Sequence, residues 1–377
     1  MTRIEAIVAR TRSHRELAST RSGNERVEVY CKASSRVRVA RGTEIGTVRV
    51  QFADETGMAV RIGSAKNDRS AFASVGGASP DAMRWAVDTA LATGAWNRTR
   101  MLSPSEAGVI ERLDLDRNDR LPPSERLAEW LQGCPSADWI EAAITVEALC
   151  GEQGWLAVRR RARSWALFDR LQPTLAARRE ARAWVLPDPP SLEPVGSAAS
   201  HGRDQDPSIA LSSEAAAPLV AALATRFHGE GAGTGAAVGV GWHLEDDPLH
   251  FEGVAGGVFD DAGFPSARST LAEGGMIVGT LGGPGTYRRP SFRDAPQSGT
   301  STVIVLPDPV FAPDPRQVVR RCRVLPLEVD SWVLDLGTRS VRADPRDLLS
   351  ACAGAFGAPR MTAEGVFTPA LVFEGLS

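Results

Sequence analysis

The residues best able to do chemistry lie close together. They are His243, Glu245, Asp246, Asp247 and His250, in the stretch WHLEDDPLH that begins at Trp242. Two imidazoles and up to three carboxylates could hold a divalent metal. The same residues also read as a solvated turn, Asp246-Asp247-Pro248, and short motifs of this kind recur by chance. His243 and His250 therefore stand as candidate ligands beside a plain-turn reading. The other histidines are His14, His201 and His228, and none of the five belongs to H-E-x-x-H or H-E-x-x-x-H. A zinc hydrolase needs about three protein ligands and an open position for water. His14-Arg15-Glu16 has no second histidine to complete such a set.

Nucleophile signals are equally sparse. There is no G-x-S-x-G elbow. Ser64 and Lys66 have a Ser/Lys spacing, but they sit with Asn67 and Asp68 in a polar turn. Cys352 has small neighbours and no nearby histidine in sequence, which favours a buried structural thiol. Gly231, Gly233 and Gly235 follow a predicted helix rather than a strand, the wrong context for a dinucleotide loop. No catalytic residue is assigned. A hydrolase built on Cys352 or on the His243–His250 cluster remains only as a third reading.

What positions these residues is a turn followed by a hairpin. Phe259-Asp260-Asp261-Ala262-Gly263-Phe264-Pro265 places carboxylates and a glycine where the chain must reverse. Ser269 to Glu273 and Met276 to Leu281 are extended runs joined by Gly274-Gly275, a two-residue turn that requires positive φ. Asp260, Asp261, Gly263, Glu273 and Gly274 are expected to be structural in origin and either to border a peptide cleft or subunit interface or to form a plain surface hairpin with no partner. As turn residues at a surface, they include Asp261 as a position where lysine should leave folding nearly intact.

Composition sets the outer limits. The chain has 377 residues, a net charge of −3, 43% hydrophobic and 24% charged residues, ordinary values for a globular protein. That balance argues against a protein that coats nucleic acid. The arginine run at Arg159–Arg163 alternates as the outer face of a strand would. No apolar run approaches the roughly 20 residues of a membrane span. The N-terminus lacks the apolar segment of a secretory signal. Five scattered cysteines without C-x-x-C read as reduced thiols, so a cytoplasmic location is expected.

Periodicity predicts strands at Arg26–Lys32, Ser35–Arg41 (Val37 and Val39 inward), Glu44–Phe52, Gly57–Ile62 and Ala71–Val75. A helix follows, with Ser79 as N-cap and Pro80 in its first turn. Ile140–Cys150, Trp155–Arg161, Ser164–Leu171 and Thr174–Leu186 continue as strands. Residues 187–207 are rich in Pro, Ser, Gly and Asp and read as a linker or exposed loop. A second block of strands follows from Ser208, with a helix capped by Ser212 or Ser213. The expected fold class is α+β in two domains, each a largely antiparallel sheet with packed helices. Their bounds are 1–186 and 208–377.

Two motif sets carry a resemblance. The order D-D-P, then F-D-D-x-G-x-P, then T-L-x-E-x-G at Thr270–Gly275, resembles the C-terminal domain of the TldD/PmbA family, the modulators of DNA gyrase. The order G-M-A-V-R, A-F-A-S and S-P-D-A-M-R, between Gly57 and Arg84, is similar to that family's N-terminal domain. The family pairs a zinc metallopeptidase subunit, TldD, with a related non-catalytic subunit, TldE or PmbA. With H-E-x-x-x-H missing, the resemblance is to the TldE side. It implies no cofactor in this chain, zinc in a TldD-like metallopeptidase partner, and an unfolded or leader peptide as substrate of the pair. The chain departs from the family where Gly282–Pro290 is compressed and where Ala351–Gly357 only echoes the usual glycine-rich pattern. The alternative is a free-standing homodimeric peptide-binding protein without a peptidase partner.

Overall fold

The computed structural model describes residues 3–23, 26–44, 46–63, 70–93, 96–97, 101, 111–115, 120–135, 137–168, 173–175, 209–227, 235, 237–238, 242–250, 253, 256–289, 291, 293–306, 317–319, 322–328, 331–336, 340–361 and 366–373. The 187–207 segment, Ser64–Lys66, His201, His228 and most of the Gly231–Gly235 stretch lie outside these residues.

The first half builds one sheet. Its strands are β1 (Val27–Arg41), β2 (Val48–Gly63), β3 (Ser70–Gly76), β4 (Trp96–Asn97), β5 (Glu111–Leu115), β6 (Ala137–Cys150), β7 (Leu156–Phe168) and β8 (Pro173–Leu175). They lie in the order β4-β3-β2-β1-β6-β7-β5, with β8 on β7. All pairs are antiparallel except β5 with β7. Helices α1 (Arg3–Ser22), α2 (Pro80–Thr93) and α3 (Ser124–Gly133) cover one face. The period-two pattern explains the sidedness. Val27, Val29, Cys31, Val37 and Val39 of β1 and Ile140, Ala142, Ile144 and Val146 of β6 bury with Met83, Val87 and Leu127 of the helices. Ser79 caps α2 as its position predicts, its Oγ accepting the Ala82 N–H at 3.2 Å. The separate strands expected after Trp155 join as far as Phe168 in one continuous β7 paired along β6, while 169–172 and 176–186 lie outside the described residues.

The second half contributes β9 (Ile209–Leu211), β10 (Leu244–Asp246), β11 (Ser269–Glu273), β12 (Met276–Ile277), β15 (Val303–Val305), β16 (Gln317–Val319), β20 (Cys352–Met361) and β21 (Val366–Phe373) to a second sheet. Its order is β12-β11-β10-β15-β21-β9-β16, with β20 on β21. Two pairs in it, β15 with β21 and β16 with β9, are parallel. A ribbon of β13 (Tyr287–Arg288) and β14 (Gln297–Ser298) stands apart. So does a three-stranded sheet of β17 (Arg323–Glu328), β18 (Ser331–Asp335) and β19 (Ser340–Ala343). Helices α4 (Ser213–Ala224) and α5 (Pro345–Ala351) complete it. Ser212 caps α4 by accepting the Ala215 N–H. Leu219, Val220 and Leu223 pack with Leu271, Val305 and Leu371 in its core. The fold class is α+β, as the periodicity implied.

A third apolar cluster joins the halves. Tyr30, Ala59, Leu149, Trp155 and Ala157 come from the face of the first sheet opposite α1, α2 and α3. Phe259, Ala262, Phe264 and Tyr287 come from the second half.

Candidate functional site

The Phe259–Pro265 turn is the centre of that seam. Phe259 and Pro265 close it as an isolated antiparallel bridge. The Asp260 N–H donates to Phe264 O at 2.8 Å, and Gly263 N–H donates back to Asp260 O at 3.1 Å. Gly263 has φ of +91°, a conformation that costs a side-chain-bearing residue dearly. Asp260 is fully buried. Its Oδ1 accepts the N–H groups of Ala262 and Phe264, both at 2.9 Å. Its Oδ2 accepts those of Gly285 at 2.8 Å and Tyr287 at 3.2 Å. One carboxylate thus ties the turn to the segment after Leu281. Burial pushes the Asp260 carboxyl up to about 6, against the pull of Arg288 and the backbone donors.

Asp261 reaches the other way, into the first sheet. Its Oδ1 accepts Nη2 of Arg159 on β7 at 2.6 Å, and its Oδ2 accepts the Arg289 N–H at 2.6 Å. Arg159 is buried, lies 3.4 Å from Glu147, and stacks 4.8 Å from the Phe259 ring centre. Tyr30 donates its hydroxyl to Glu147 at 2.7 Å, and the Arg289 guanidinium lies 4.6 Å from the Tyr30 ring centre. Burial works to raise the Asp261 carboxyl, but the guanidiniums of Arg159, Arg288 and Arg289 outweigh it and hold it below the ordinary carboxylate value. The same burial, with Glu147 beside it, lifts the Tyr30 phenol far above its usual range.

These positions revise the expectation for Asp261. A lysine there would face Arg159, Arg288 and Arg289, so the substitution is not compatible with nearly intact folding. Sequence reasoning also missed Tyr30, Glu147, Arg159, Gly285, Tyr287 and Arg289. Alternation put Arg159 on the outer face of its strand, but there it is buried against the second half. What no pattern carried was that the second half covers that part of the face.

Where the seam ends, a cavity of about 470 Å³ opens. Its floor is the first sheet: Tyr30, Lys32, Thr145, Glu147, Arg161 and Arg163. Its wall is Asp261, Arg288, Arg289 and the polar stretch Gln297–Thr300. A second depression of about 190 Å³ shares Lys32, Thr145 and Arg163 and continues along the sheet past Arg36 and Trp165.

The remaining candidates sit elsewhere. Gly274 and Gly275 turn the β11–β12 hairpin with φ of +58° and +78°, pairing Glu273 with Met276. Glu273 and Gly274 are exposed, as are Met276 and Val278. Of the acidic stretch, Asp247 forms the expected turn, its Oδ1 accepting the Leu249 N–H. Asp246 is buried rather than solvated and accepts Ser301 N–H, Ser301 Oγ–H and Thr302 N–H at 2.7 to 3.0 Å. Glu245 pairs with Arg268 and lies 3.4 Å from His243. The His250 ring packs 4.7 Å from that of Phe367. Apart from the His243–Glu245 contact these groups have separate partners, and among the described residues no three His, Cys, Asp or Glu side chains are placed to share a metal. His14 is buried, 3.2 Å from Ala78 O, with its pKa lowered by burial. Cys352 is buried and its thiol is pushed up to about 12, unsuited to nucleophilic attack.

No protein-family model and no curated protein matches the sequence. Solved structures do match it. A provisionally assigned modulator of DNA gyrase from Bacteroides thetaiotaomicron superposes with a TM-score of 0.63 at 12% identity, over 98% of this chain and 97% of that one. TldE from Thermococcus kodakarensis does so at 0.61 and 12%, over 95% and 97%. A provisionally assigned modulator of a DNA gyrase from Thermotoga maritima gives 0.59 and 11%, over 96% and 98%. The chain has the fold of these proteins across nearly its whole length, the fold its turn and hairpin motifs resemble. No helix among the described residues is long and apolar enough to cross a membrane.

Proposed function

We propose that this chain is a TldE-like member of the TldD/PmbA family, a non-catalytic subunit that pairs with a TldD-like zinc metallopeptidase. The pair would process or degrade unfolded peptides, including leader peptides. The observation that carries the reading is the end-to-end likeness to TldE in a chain without H-E-x-x-x-H. The zinc and the hydrolytic step belong to the partner, and this chain shapes the space in which a peptide is held. The division into 1–186, 187–207 and 208–377 is part of the proposal, as is a cytoplasmic location.

Two surfaces support a partner. Val48, Val50 and Phe52 extend β2 beyond the cover of the helices and are 37%, 40% and 71% exposed. An apolar stripe on a sheet is what a subunit interface covers. The exposed Glu273–Gly274 tip with Met276 and Val278 is a second such surface. The test is gel filtration of this chain mixed with the H-E-x-x-x-H protein of the same genome. A joint peak is expected, lost on Phe52→Glu. A chain that elutes as its own dimer, indifferent to the peptidase, would instead establish the free-standing homodimeric peptide-binding protein.

A further inference from the structure

The cavity beside Asp261 is lined by more cations than carboxylates, and two of those cations keep donors that nothing in the seam accepts. Lys32, Arg161, Arg163, Arg288 and Arg289 line it against two carboxylates, Glu147 and Asp261. Asp261 is engaged through both oxygens, whereas Glu147 is hydrogen-bonded through Oε1 alone and its buried Oε2 makes no hydrogen bond. Glu147 accepts the Tyr30 hydroxyl and faces Arg159, and Asp261 accepts from Arg159 and Arg289. Lys32 lies 3.8 Å from Glu55 and Arg289 donates Nη1 to Asp294 O, but Arg161 and Arg288 keep donors unmatched. Nε and Nη2 of Arg161 are buried without a hydrogen-bond acceptor. So are Nε and Nη2 of Arg288, the latter 4.0 Å from Asp246. Buried donors left unpaired are costly, and an oxyanion supplies the missing acceptors through charge-assisted bonds.

The shape says which oxyanion. Lys32, Ser34 and Arg36 of β1 and Arg161 and Arg163 of β7 share one face, running from the larger cavity into the smaller, which Glu55 and Glu141 also line, the latter paired with Arg38. Cross-strand register sets them opposite Glu147, Thr145 and Ala143 of β6. Same-face residues recur about every 6.7 Å along a strand, the spacing of alternate side chains in an extended peptide. The wall adds a backbone partner. In the β13–β14 ribbon, β13 is occupied on its far side, where Asp261 N–H donates to Tyr287 O. Gln297 and Ser298 of β14 line the cavity, and among the described residues β14 pairs only with β13. A free strand edge beside a row of cations fits an extended chain that bears carboxylates.

We infer that this cavity and its extension bind an acidic peptide segment in extended form. Arg161 and Arg288 take carboxylate oxygens, and Lys32, Arg36 and Arg163 extend the row. The carboxylates come from Asp and Glu side chains or from a peptide's C-terminus. The inference rests on the peptide-handling reading for the nature of its ligand, but its test does not depend on the peptidase.

Fluorescence anisotropy with short labelled peptides decides it. The probes are an alanine–glutamate peptide with an amidated C-terminus, an alanine–glutamine peptide amidated, and the same alanine–glutamine peptide with a free C-terminus. The glutamate peptide is expected to bind on the order of tenfold more tightly than the amidated glutamine peptide. Its affinity should fall as salt rises, in competition with sodium acetate, and on Arg161→Gln or Arg163→Gln. Preference for the free C-terminus alone assigns the site to chain ends and supports the carboxylate inference in that form. Equal binding of all three peptides overturns the inference. So does phosphate competition without any binding of the peptides. If Arg161→Gln fails to fold, the acetate and salt dependence of the parent protein carries the test. A complex with the peptidase but no charge preference sinks this inference and leaves the subunit reading standing. The reverse result sinks the subunit reading and leaves this one.

Discussion

Two turns in this chain use the same residue types and do different work. Phe259–Pro265 and Glu273–Met276 each combine acidic residues with glycine at positive φ. In the first, Asp260 and Gly263 are buried and the carboxylates are consumed by backbone donors and by Arg159. In the second, Glu273 and Gly274 face solvent. The difference arises from what lies opposite. The first turn meets a strand face that changes from apolar at Tyr30, Ala59 and Leu149 to cationic at Lys32 and Arg161. The second reverses at a sheet edge. An acidic turn is therefore a clamp or an ornament according to its neighbour.

The comparison breaks most sharply at the carboxylates. Asp260→Ala strands four buried N–H groups and should cost about 3–5 kcal/mol in urea unfolding. Glu273→Ala should stay within about 0.5 kcal/mol of the parent. Similar costs for the two would show that the first turn is as solvated as the second. Arg159→Met comes next. It leaves Asp261 and Glu147 facing each other across the seam without their shared cation, and a loss of about 2–4 kcal/mol is expected. Because Asp261 would lose the side-chain hydrogen bond from Arg159 and keep the Arg289 N–H and the charges of Arg288 and Arg289, Asp261→Asn on top of Arg159→Met should recover part of that loss. A double variant no better than the single would show that the charge pair is not what Arg159 contributes.

The glycines sharpen the contrast at smaller scale. Gly285 has φ of +92°, and a methyl group there would lie 2.7 Å from Pro265 O. Gly274 has φ of +58° and open space around it. Gly285→Ala should cost about 2 kcal/mol or more, and Gly274→Ala about 1 kcal/mol, by thermal or urea unfolding. Equal effects would place Gly285 outside the clamp.

The smallest expected effect is in pH. The folded Asp260 carboxyl stands at about 6 against an ordinary 3.8. The folded chain therefore binds that proton more readily than the unfolded chain. Its contribution to stability is full below 3.8 and is lost as pH rises through about 6. Raising the pH across that window should lower the melting temperature of the parent more than that of Asp260→Asn. The opposite trend would mean that the four backbone donors, and not burial, set the charge state.

Much of the architecture was legible from local pattern. Alternation placed Val37 and Val39 inward and the arginines outward, because a strand has only two faces. Ser79, Pro80 and Ser212 marked helix starts through their caps, and Gly274-Gly275 marked a hairpin through its φ requirement. Such signals are short-range, so a chain carries them wherever it goes. The merging of the segments after Trp155 into one β7 was not legible, because β6 supplies a partner along that length.

Residue type, periodicity and fixed spacings sufficed for the α+β class, the helix starts at Ser79 and Ser212, the Gly274-Gly275 hairpin and the lack of H-E-x-x-x-H. They did not suffice for the strand count, since the runs expected on either side of Ala33-Ser34 and of Asp54 are one β1 and one β2. Only the tertiary structure decided that Asp261 meets Arg159 across 102 positions of chain. It alone buried Asp246, separated His243 from His250 by giving them different partners, and gathered five cations around one cavity. The reason is physical. An aspartate in a turn and an arginine on a strand face are each satisfied by water when alone, so neither announces a partner. Which of them must find one is set by which surface the other half of the molecule covers.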